Sequence, residues 1–270
     1  MTSTAVIGLG EAGALYARGL RDAGYTVSGF DPFTTLHEEG IRQEPTLADA
    51  VATADLVISL VGARAAEAVG TEAMAAMSAG AVFADLNTGS PDLKRRLEAE
   101  ATSRGILAAD VAVLAPVPRA GVGTPLMVSG TGASRFTELF AATGADVESI
   151  GGAAGDAASR KLVRSVFMKG LAAVVLESVG AAEAAGCETW LRAQIAAEFA
   201  GDPAALVQRL IDGSRQHAGR RAHEVADARD YLDGLGRPSW VTSAAHRWFG
   251  HLLEEAAVAD PAADHEGARA

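Results

Sequence analysis

The sequence predicts an α/β domain built on a mainly parallel sheet, followed by an all-α domain. Short apolar strand patterns alternate with helical patterns from Thr4 to Ile150, and a glycine-rich turn joins the first strand to the first helix. Only helical patterns follow that region. Alternating strands and helices are typical of a parallel sheet whose faces are covered by helices. We therefore expect a sheet domain over 1–154, an all-helical domain over 155–258 and a flexible tail over 259–270.

The first strand, turn and helix carry the fingerprint of a dinucleotide-binding site. The apolar run Ala5–Ile7 is typical of a buried strand, and a helical pattern that ends at Gly24 follows the turn. In such a βαβ unit the glycines allow a tight turn, close approach of a pyrophosphate, and close packing of helix on strand. We therefore predict a Rossmann-type domain in which the whole turn binds the cofactor. Its residues are Gly8, Leu9, Gly10, Glu11, Ala12 and Gly13.

The end of the second predicted strand indicates which dinucleotide is bound. Asp31 follows the strand Tyr25–Phe30, at close to the spacing of about 20 residues expected for the acid that binds the ribose hydroxyls. A carboxylate accepts hydrogen bonds from a ribose diol and repels a 2′-phosphate, and no Arg stands among residues 32–35. The sequence therefore favours NAD over NADP.

The remaining elements follow in the order that an open sheet requires. Strands are predicted at 55–61, 81–85, 106–113, 125–129 and 146–150, and the helices between them at 46–53, 64–79, 91–105 and 134–143. Because ligands bind beyond the carboxyl ends of parallel strands, we expect Leu60, Val61 and Gly62 to lie close to the cofactor. Later helices are predicted at 157–185, 188–200, 203–232 and 239–257, the third either continuous or broken at Gly213 or Gly219.

Composition excludes several classes of protein. With 49% hydrophobic and 21% charged residues the chain can form a core, and its formal net charge of −11 argues against nucleic acid or an anionic membrane as a partner. The single cysteine, Cys187, excludes an intrachain disulfide and fits a reducing compartment. The six histidines form no metal-binding pattern, so we expect no metal. The chain enters a strand by residue 5 and has no long uncharged apolar stretch, so a cytoplasmic location is predicted.

Four stretches resemble the β-hydroxyacid dehydrogenase superfamily, which includes 3-hydroxyisobutyrate and 6-phosphogluconate dehydrogenases and, more distantly, imine reductases. They are the glycine turn, Asp85-Leu86-Asn87-Thr88-Gly89-Ser90-Pro91, the segment from Asp110 to Met127, and Gly155-Asp156-Ala157-Ala158-Ser159-Arg160-Lys161. The later helices resemble the C-terminal domain of proteins related to 6-phosphogluconate dehydrogenase. The resemblance implies that Lys161 is the general acid/base, that Asn87 and Thr88 approach the substrate and the nicotinamide ribose, and that two chains form an interlocked homodimer.

Two motifs depart from the family pattern. The Ser-Gly-Gly that holds a substrate carboxylate in the family aligns with Leu114-Ala115-Pro116, and Pro116 has no amide donor. The pair of asparagines that follows the family lysine is replaced by Arg164 and Ser165. Helical spacing puts these two residues and Met168 on the face of Lys161, so an anionic substrate group could pair with Arg164, with Arg119 as a second candidate.

The function predicted is therefore hydride transfer between a nicotinamide cofactor and a small hydroxy acid or its carbonyl form, with Lys161 as general acid/base. One alternative is an NADPH-dependent imine reductase, which the apolar segment Leu114–Pro116 would suit, whereas Lys161 and Asp31 would not. A second alternative is a non-catalytic regulatory protein that binds a dinucleotide. The identity of the substrate, the reaction direction and the exact oligomer stay open at this point.

Overall fold

A computed structural model describes residues 2–259, which divide into two compact units between Arg164 and Ser165. The first unit is an eight-stranded sheet with helices on both faces, and the second consists of helices, which confirms the predicted fold class. The division falls inside one long helix, while the predicted boundary at 151–157 falls at the turn where that helix begins. Of the predicted tail, 260–270 lies outside the described residues.

The last two strands of the sheet run antiparallel to the other six. Its strands are β1 (Ser3–Ile7), β2 (Thr26–Phe30), β3 (Ile41–Gln43), β4 (Leu56–Ser59), β5 (Val82–Asp85), β6 (Leu107–Val113), β7 (Leu126–Ser129) and β8 (Val147–Ser149). They lie in the order β3-β2-β1-β4-β5-β6-β7-β8. The β6–β7 pair is antiparallel and every other neighbouring pair is parallel. The carboxyl ends of β1, β2, β4, β5 and β6 therefore meet at one edge.

Helices bury both faces of this sheet. They are α1 (Glu11–Asp22), α2 (Leu47–Val51), α3 (Ala66–Ala76), α4 (Pro91–Ser103) and α5 (Ala133–Phe140). One apolar cluster joins α1 and α5 to the sheet, and a second joins α2, α3 and α4 to it. Every residue of β4 and β5 is buried, which explains why these strands are continuous apolar runs rather than alternating patterns.

The strand β3 was not predicted, because its sequence lacks the apolar run or the alternating pattern of a strand. β3 has three residues, and Arg42 and Gln43 interrupt any apolar run there. It pairs with β2 at the edge of the sheet, where only Ile41 is buried. An edge strand this short is specified by its neighbour rather than by its own composition.

The segment after β6 packs against α1. It contains two 3₁₀ turns, Val117–Arg119 and Gly121–Gly123. A Cβ atom built on Gly19 of α1 would lie 2.4 Å from Cγ1 of Val122, so this contact requires a glycine. The turns that carry Arg119 and the helix behind the glycine-rich turn are thus in direct contact.

The second unit consists of the rest of α6 (Asp156–Ala184) and four further helices. These are α7 (Glu188–Phe199), α8 (Pro203–Gln216), α9 (Ala218–Gly234) and α10 (Trp240–Ala259). The single helix predicted over 203–232 is wrong, and so is the alternative break at Gly213 or Gly219. The break lies at His217, whose φ of −120° and ψ of 27° are not helical.

Most of the long helix is exposed in the single chain, although its apolar composition predicts burial. Large apolar side chains of α6 are exposed, and so are those of α7 and α10, including Phe167, Leu176, Trp190 and Trp248. The expectation that most of α6 is buried is wrong for one chain, because the short helices cover only a part of its surface. Between residues 2 and 259 no helix has the length and hydropathy needed to span a membrane.

Candidate active site

The glycine-rich turn has the geometry that its fingerprint predicts. Gly8 has a φ of +87°, and a Cβ on it would lie 2.5 Å from the carbonyl oxygen of Leu60. A Cβ on Gly13 would lie 1.8 Å from the carbonyl oxygen of Gly8, so helix and strand pack too closely for any side chain. A Cβ on Gly10, by contrast, would meet no atom within 4 Å. Gly10 is therefore exposed at the mouth of the turn rather than required by internal packing.

The first turn of α1 presents its backbone amide groups at the mouth of the glycine-rich turn. Gly10 is the N-cap residue, and no side chain caps the helix there. The first amides of a helix point away from its body and carry the positive end of the helix dipole. Glu11 and Ala12 contribute these amides, while the side chain of Leu9 is buried. This end of α1 can therefore hold an anionic group such as a pyrophosphate.

Asp31 lies directly beside the glycine-rich turn. Its Oδ2 accepts a hydrogen bond of 2.7 Å from the amide of Leu9, and its Oδ1 accepts bonds of 2.8 and 3.0 Å from the amides of Phe33 and Thr34. The orientation of the carboxylate is thus fixed by backbone amides that follow β1 and β2. A carboxylate has about four lone-pair positions, so it keeps capacity for a further donor such as a ribose hydroxyl.

The ends of β4 and β5 are joined through Asn87. Its Oδ1 accepts a hydrogen bond of 2.7 Å from the amide of Gly62. Its Nδ2 donates hydrogen bonds to Oδ1 of Asp85 at 2.6 Å and to Oγ of Ser59 at 3.0 Å. Asn87 is 5% exposed, and these bonds use both polar atoms of its side chain. The structure thus gives Asn87 the role of holding two loops together, and its predicted substrate contact stays a prediction.

Lys161 and Thr88 come together at this edge of the sheet. The Nζ of Lys161, on the second turn of α6, donates to Oγ1 of Thr88 at 3.2 Å. Burial lowers the pKa of Lys161; the ammonium of Lys94 lowers it further, and the carboxylates of Asp110 and Asp85 oppose that effect. A lysine with a lowered pKa has a larger neutral fraction near neutral pH, so it can accept a proton.

A buried cluster of three charged side chains lies beneath Lys161. The Nζ of Lys94 lies 2.9 Å from Oδ2 of Asp85 and 3.2 Å from Oδ1 of Asp110, and none of the three is more than 3% exposed. Sequence reasoning missed this cluster because the many charged residues of 91–105 are typical of a helix with a solvated face. The signal was there: Lys94 shares the inward spacing of Leu97 and Ala101.

The beginning of α6 is held by side chains from the middle of β6 and the end of β7. Oδ2 of Asp110 accepts bonds of 2.9 Å from the amides of Gly155 and Ala158, and Oγ of Ser129 accepts 3.0 Å from the amide of Ala157. These side chains act as caps for the helix amides that lack partners within the helix. Because β7 runs antiparallel to β6, Ser129 pairs with Asp110 and stands next to it.

The other predicted substrate residues are more scattered. The amide of Leu114 donates to the carbonyl of Pro125 at 3.0 Å, and its side chain is half-buried. Arg119 and Arg164 are exposed, and within residues 2–259 neither guanidinium forms a salt bridge. Ser165 and Met168 belong to the second unit. The structure brings Lys161 together with Thr88, and the roles of these other residues stay predictions.

Comparison with known proteins identifies the family. A sequence profile described as the NAD binding domain of 6-phosphogluconate dehydrogenase matches residues 3–152, which is more than half of the chain. The chain belongs to this family. A second profile, described as a domain of unknown function (DUF1932), matches residues 182–252. The resemblance to β-hydroxyacid dehydrogenases is thereby confirmed, and the helical C-terminal region matches the domain of unknown function.

The chain is also similar to proteins that are named as dehydrogenases. A probable 3-hydroxyisobutyrate dehydrogenase of Mycobacterium tuberculosis is 34% identical over 136 residues, or 48% of this chain and 46% of the relative, so the match spans about half of its length. An NAD-dependent L-serine dehydrogenase of Pseudomonas aeruginosa is 30% identical over 210 residues, or 74% of this chain and 69% of the relative. A solved imine reductase of Aspergillus terreus shares the fold, with a TM-score of 0.80, 21% identity and 94% of each chain covered.

A nicotinamide dinucleotide, the cofactor that this NAD-binding family implies, fits the residues present. The open side of Gly10 leaves room for close approach, the uncapped start of α1 offers amide donors, and Asp31 holds a fixed acceptor. A bound cofactor would be held by the turn Gly8–Gly13 and by Asp31. In the part of the chain that the structure describes, no group of three or more His, Cys, Asp or Glu side chains could hold a metal ion.

Proposed function

We propose that this chain is an NAD(P)-dependent oxidoreductase that interconverts a small hydroxy acid and its carbonyl form. The observation that carries the proposal is the half-buried Lys161, which donates a hydrogen bond to Thr88 beside the dinucleotide-binding edge of the sheet. A nicotinamide cofactor, when bound, supplies the hydride acceptor in one direction and the hydride donor in the other. The protein must then supply the proton transfer.

Lys161 would carry out that proton transfer. In oxidation the neutral amine takes the hydroxyl proton of the substrate as the C–H bond breaks, and in reduction the ammonium returns a proton to the carbonyl oxygen. Thr88 fixes the direction of Nζ through the hydrogen bond at 3.2 Å. Because burial and the charge of Lys94 lower the pKa of Lys161, the rate of oxidation should rise with pH through that pKa.

The names of the relatives support a 3-hydroxy acid as the substrate class. Both the Mycobacterium tuberculosis and the Pseudomonas aeruginosa relatives are named for such compounds, 3-hydroxyisobutyrate and L-serine. The segment Leu114–Pro116 differs from the family's amide-rich carboxylate site, so the acid group would need Arg119 or Arg164 instead, with Ser165 and Met168 beside it on α6. Imine reduction with NADPH is the second candidate, and the apolar character of that same segment favours it.

We further propose NAD as the preferred cofactor, on the strength of the Asp31 carboxylate beside the glycine-rich turn. The apolar surface that α6, α7 and α10 leave exposed supports a homodimer, which would cover it. The single cysteine supports a cytoplasmic location.

Replacement of Lys161 tests the catalytic proposal. In Lys161→Met we expect kcat for oxidation of a 3-hydroxy acid to fall by about 10²- to 10⁴-fold, the usual contribution of general acid–base catalysis. The affinity for NADH should stay unchanged, because the turn Gly8–Gly13 and Asp31 are intact. Steady-state kinetics with a panel of 3-hydroxy acids and fluorescence titration with NADH measure the two quantities.

Lys169→Met is the matched control, since Lys169 is an exposed lysine on the same helix. It should keep wild-type turnover. A Lys161→Met enzyme that retains most of its kcat would contradict the role of Lys161. Cofactor binding without turnover of any hydroxy acid, carbonyl compound or imine by the wild type would favour the non-catalytic alternative.

A further inference from the structure

The three charged side chains beneath Lys161 form more contacts than an ion pair needs. Besides its two carboxylate partners, the ammonium of Lys94 donates to the backbone carbonyl of Asp85 at 2.9 Å and to that of Asn87 at 2.8 Å. Lys94 is 2% exposed, so all of these contacts are shielded from water. The ammonium thus donates two hydrogen bonds to backbone carbonyls and forms ion pairs with two carboxylates, and these partners belong to β5, to the loop after it, and to β6.

Stability alone does not explain a charged side chain at this position. Taking an ammonium out of water is costly, and replacing a buried ion cluster by apolar side chains of similar volume is often neutral or stabilising. The neighbouring inward positions of α4 are occupied by Leu93, Leu97 and Ala101, so an apolar residue would fit the same helix face. The charge at Lys94 therefore points to a role in the site.

The contacts of Lys94 lead to both members of the Lys161–Thr88 pair. On one side it binds the carbonyl of Asn87, the residue just before Thr88. On the other side it lies 3.2 Å from Oδ1 of Asp110, whose Oδ2 holds the amides at the start of α6, the helix that carries Lys161. Lys94, Asp110, Thr88 and Lys161 also line one small cavity of about 10 Å³.

The charges around Lys161 come from three elements packed against the start of α6. Asp85 of β5 and Asp110 of β6 are negative, Lys94 of α4 is positive, and Arg164 lies one turn along α6 itself. After burial, repulsion by Lys94 is the strongest influence that lowers the pKa of Lys161, while Asp110 and Asp85 raise it. Without Lys94, two carboxylates would remain to stabilise the Lys161 ammonium.

We propose that Lys94 is a positioning residue that fixes Thr88 and the start of α6 relative to each other and supplies the positive charge that keeps Lys161 ready to accept a proton. This inference rests on the proposed function of Lys161 as the general acid/base. It deepens that function by assigning the buried charges beneath it: Lys94 opposes the charged form of Lys161, and Asp110 favours that form.

Two single variants with opposite expected shifts of the pH midpoint, and the double variant that combines them, test the proposal. In Lys94→Met the midpoint of the rise of kcat/KM for oxidation should move to higher pH, with about a tenfold loss at pH 7 for each pH unit of movement. In Asp110→Asn, which keeps an oxygen for the amides of Gly155 and Ala158, the midpoint should move to lower pH. The double variant combines both changes, so its midpoint should lie between those of the single variants.

Chemical modification measures the titration of Lys161 without any need for turnover. Trace acetylation with acetic anhydride over a pH series, followed by mass spectrometry of the peptides, gives the neutral fraction of Lys161 relative to that of exposed Lys169. The midpoint for Lys161 should move upward in Lys94→Met and downward in Asp110→Asn, as in the kinetic profiles. Lys94→Arg keeps the positive charge, so its midpoint should match that of the wild type.

A purely structural role would give a different result. Lys94→Met would then lower kcat at every pH with an unchanged midpoint, and the double variant would have a kcat no higher than that of Lys94→Met. That result would overturn the proposal. If Lys94→Met does not fold, Asp110→Asn decides alone: a lower midpoint supports the proposal, and an unchanged or higher one overturns it. If the wild type turns over no substrate, the proposed function fails, while the acetylation midpoints still support or overturn the charge effect of Lys94.

Discussion

Asp31 has a role in the fold that is separate from its proposed role in cofactor binding. Its carboxylate accepts bonds from the amides of Leu9, Phe33 and Thr34, so it ties the glycine-rich turn to the loop after β2. An acceptor held on three sides loses little further freedom when a ribose hydroxyl binds it. The negative charge that suits the hydroxyl is also the feature that disfavours a 2′-phosphate.

Removing that charge should change the cofactor preference. In Asp31→Asn we expect NADH to bind about 10- to 100-fold more weakly, because a hydrogen bond to a charged acceptor contributes about 1.5–3 kcal/mol. NADPH should bind as well as before or better, since the repulsion of its phosphate is gone. Fluorescence titration with both cofactors measures the ratio of the two dissociation constants.

The more severe Asp31→Ala variant separates the two roles of the side chain. It should lose the NADH preference like Asp31→Asn and in addition lower the melting temperature, because the three amides lose their acceptor. A wild-type protein that prefers NADPH, or an Asp31→Asn variant with an unchanged ratio, would contradict the assignment and favour imine or carbonyl reduction with NADPH.

Lys94 marks the limit of sequence reasoning at single positions. The helix of 91–105 carries many charges, and most of its lysines and arginines do face water, as Arg95 and Arg96 show. Lys94 differs from them only in its angular position on the helix. Its spacing from Leu97 and Ala101 indicates an inward position, but the carboxylates that pair with it come from two strands, and that long-range match is not visible in a local pattern.

At the scale of elements, strong local signals predicted the structure well and weak ones did not. The buried strands β4 and β5 and the Ser90-Pro91 start of α4 were predictable, because apolar runs and helix caps are local features. The edge strand β3 and the break at His217 were missed. β3 depends on its pairing with β2, and the break falls at a residue that is neither glycine nor proline.

The start of α10 depends on one acidic side chain of α6. Oε2 of Glu177 accepts a hydrogen bond of 2.7 Å from the amide of Val241. Its Oε1 accepts two hydrogen bonds from Thr242, one of 2.8 Å from the amide and one of 2.7 Å from the hydroxyl. Burial alone would raise the pKa of Glu177, but these hydrogen bonds lower it below its ordinary value. Glu177 thus supplies a cap from outside the helix that it stabilises.

We expect Glu177→Gln to lower the free energy of unfolding by about 1 kcal/mol, the usual value of a helix cap. Urea denaturation at neutral pH measures it, with Glu254→Gln, an exposed site on α10, as the control. Because the folded pKa of Glu177 lies below the unfolded one, its contribution is present above the unfolded pKa and is lost as the pH falls through the folded pKa. The difference between wild type and variant should therefore shrink in acid, and a constant difference would contradict the assignment.

On the scale of the whole molecule, the second unit has more apolar surface than one chain covers. Leu176 is 74% exposed, Trp240 78% and Trp248 66%. Side chains of this size rarely stay in water in such numbers, so they indicate an interface. A second copy of the chain is the partner that the proposed homodimer requires.

Sedimentation velocity should therefore give twice the mass of one chain at micromolar concentration. Leu176→Glu, on α6, should shift the equilibrium toward monomers because it places a charge in an apolar interface. Phe33→Glu is a matched control, since Phe33 is 96% exposed but lies in the first unit. A wild-type protein with the mass of one chain would contradict the homodimer, and dissociation by both substitutions would contradict the assignment of the interface to the helices.

The contact between Gly19 and Val122 has a consequence for ligand binding. α1 begins at the turn that would hold the pyrophosphate, and Val122 belongs to the turns that carry Arg119. Since there is no room for even a methyl group between them, a shift of α1 must displace those turns as well. If a ligand at either place shifts its element, the other place is displaced too, and by linkage each ligand then alters the affinity of the other by the same factor. A tight glycine contact would in this way make the affinities for two separate ligands depend on each other.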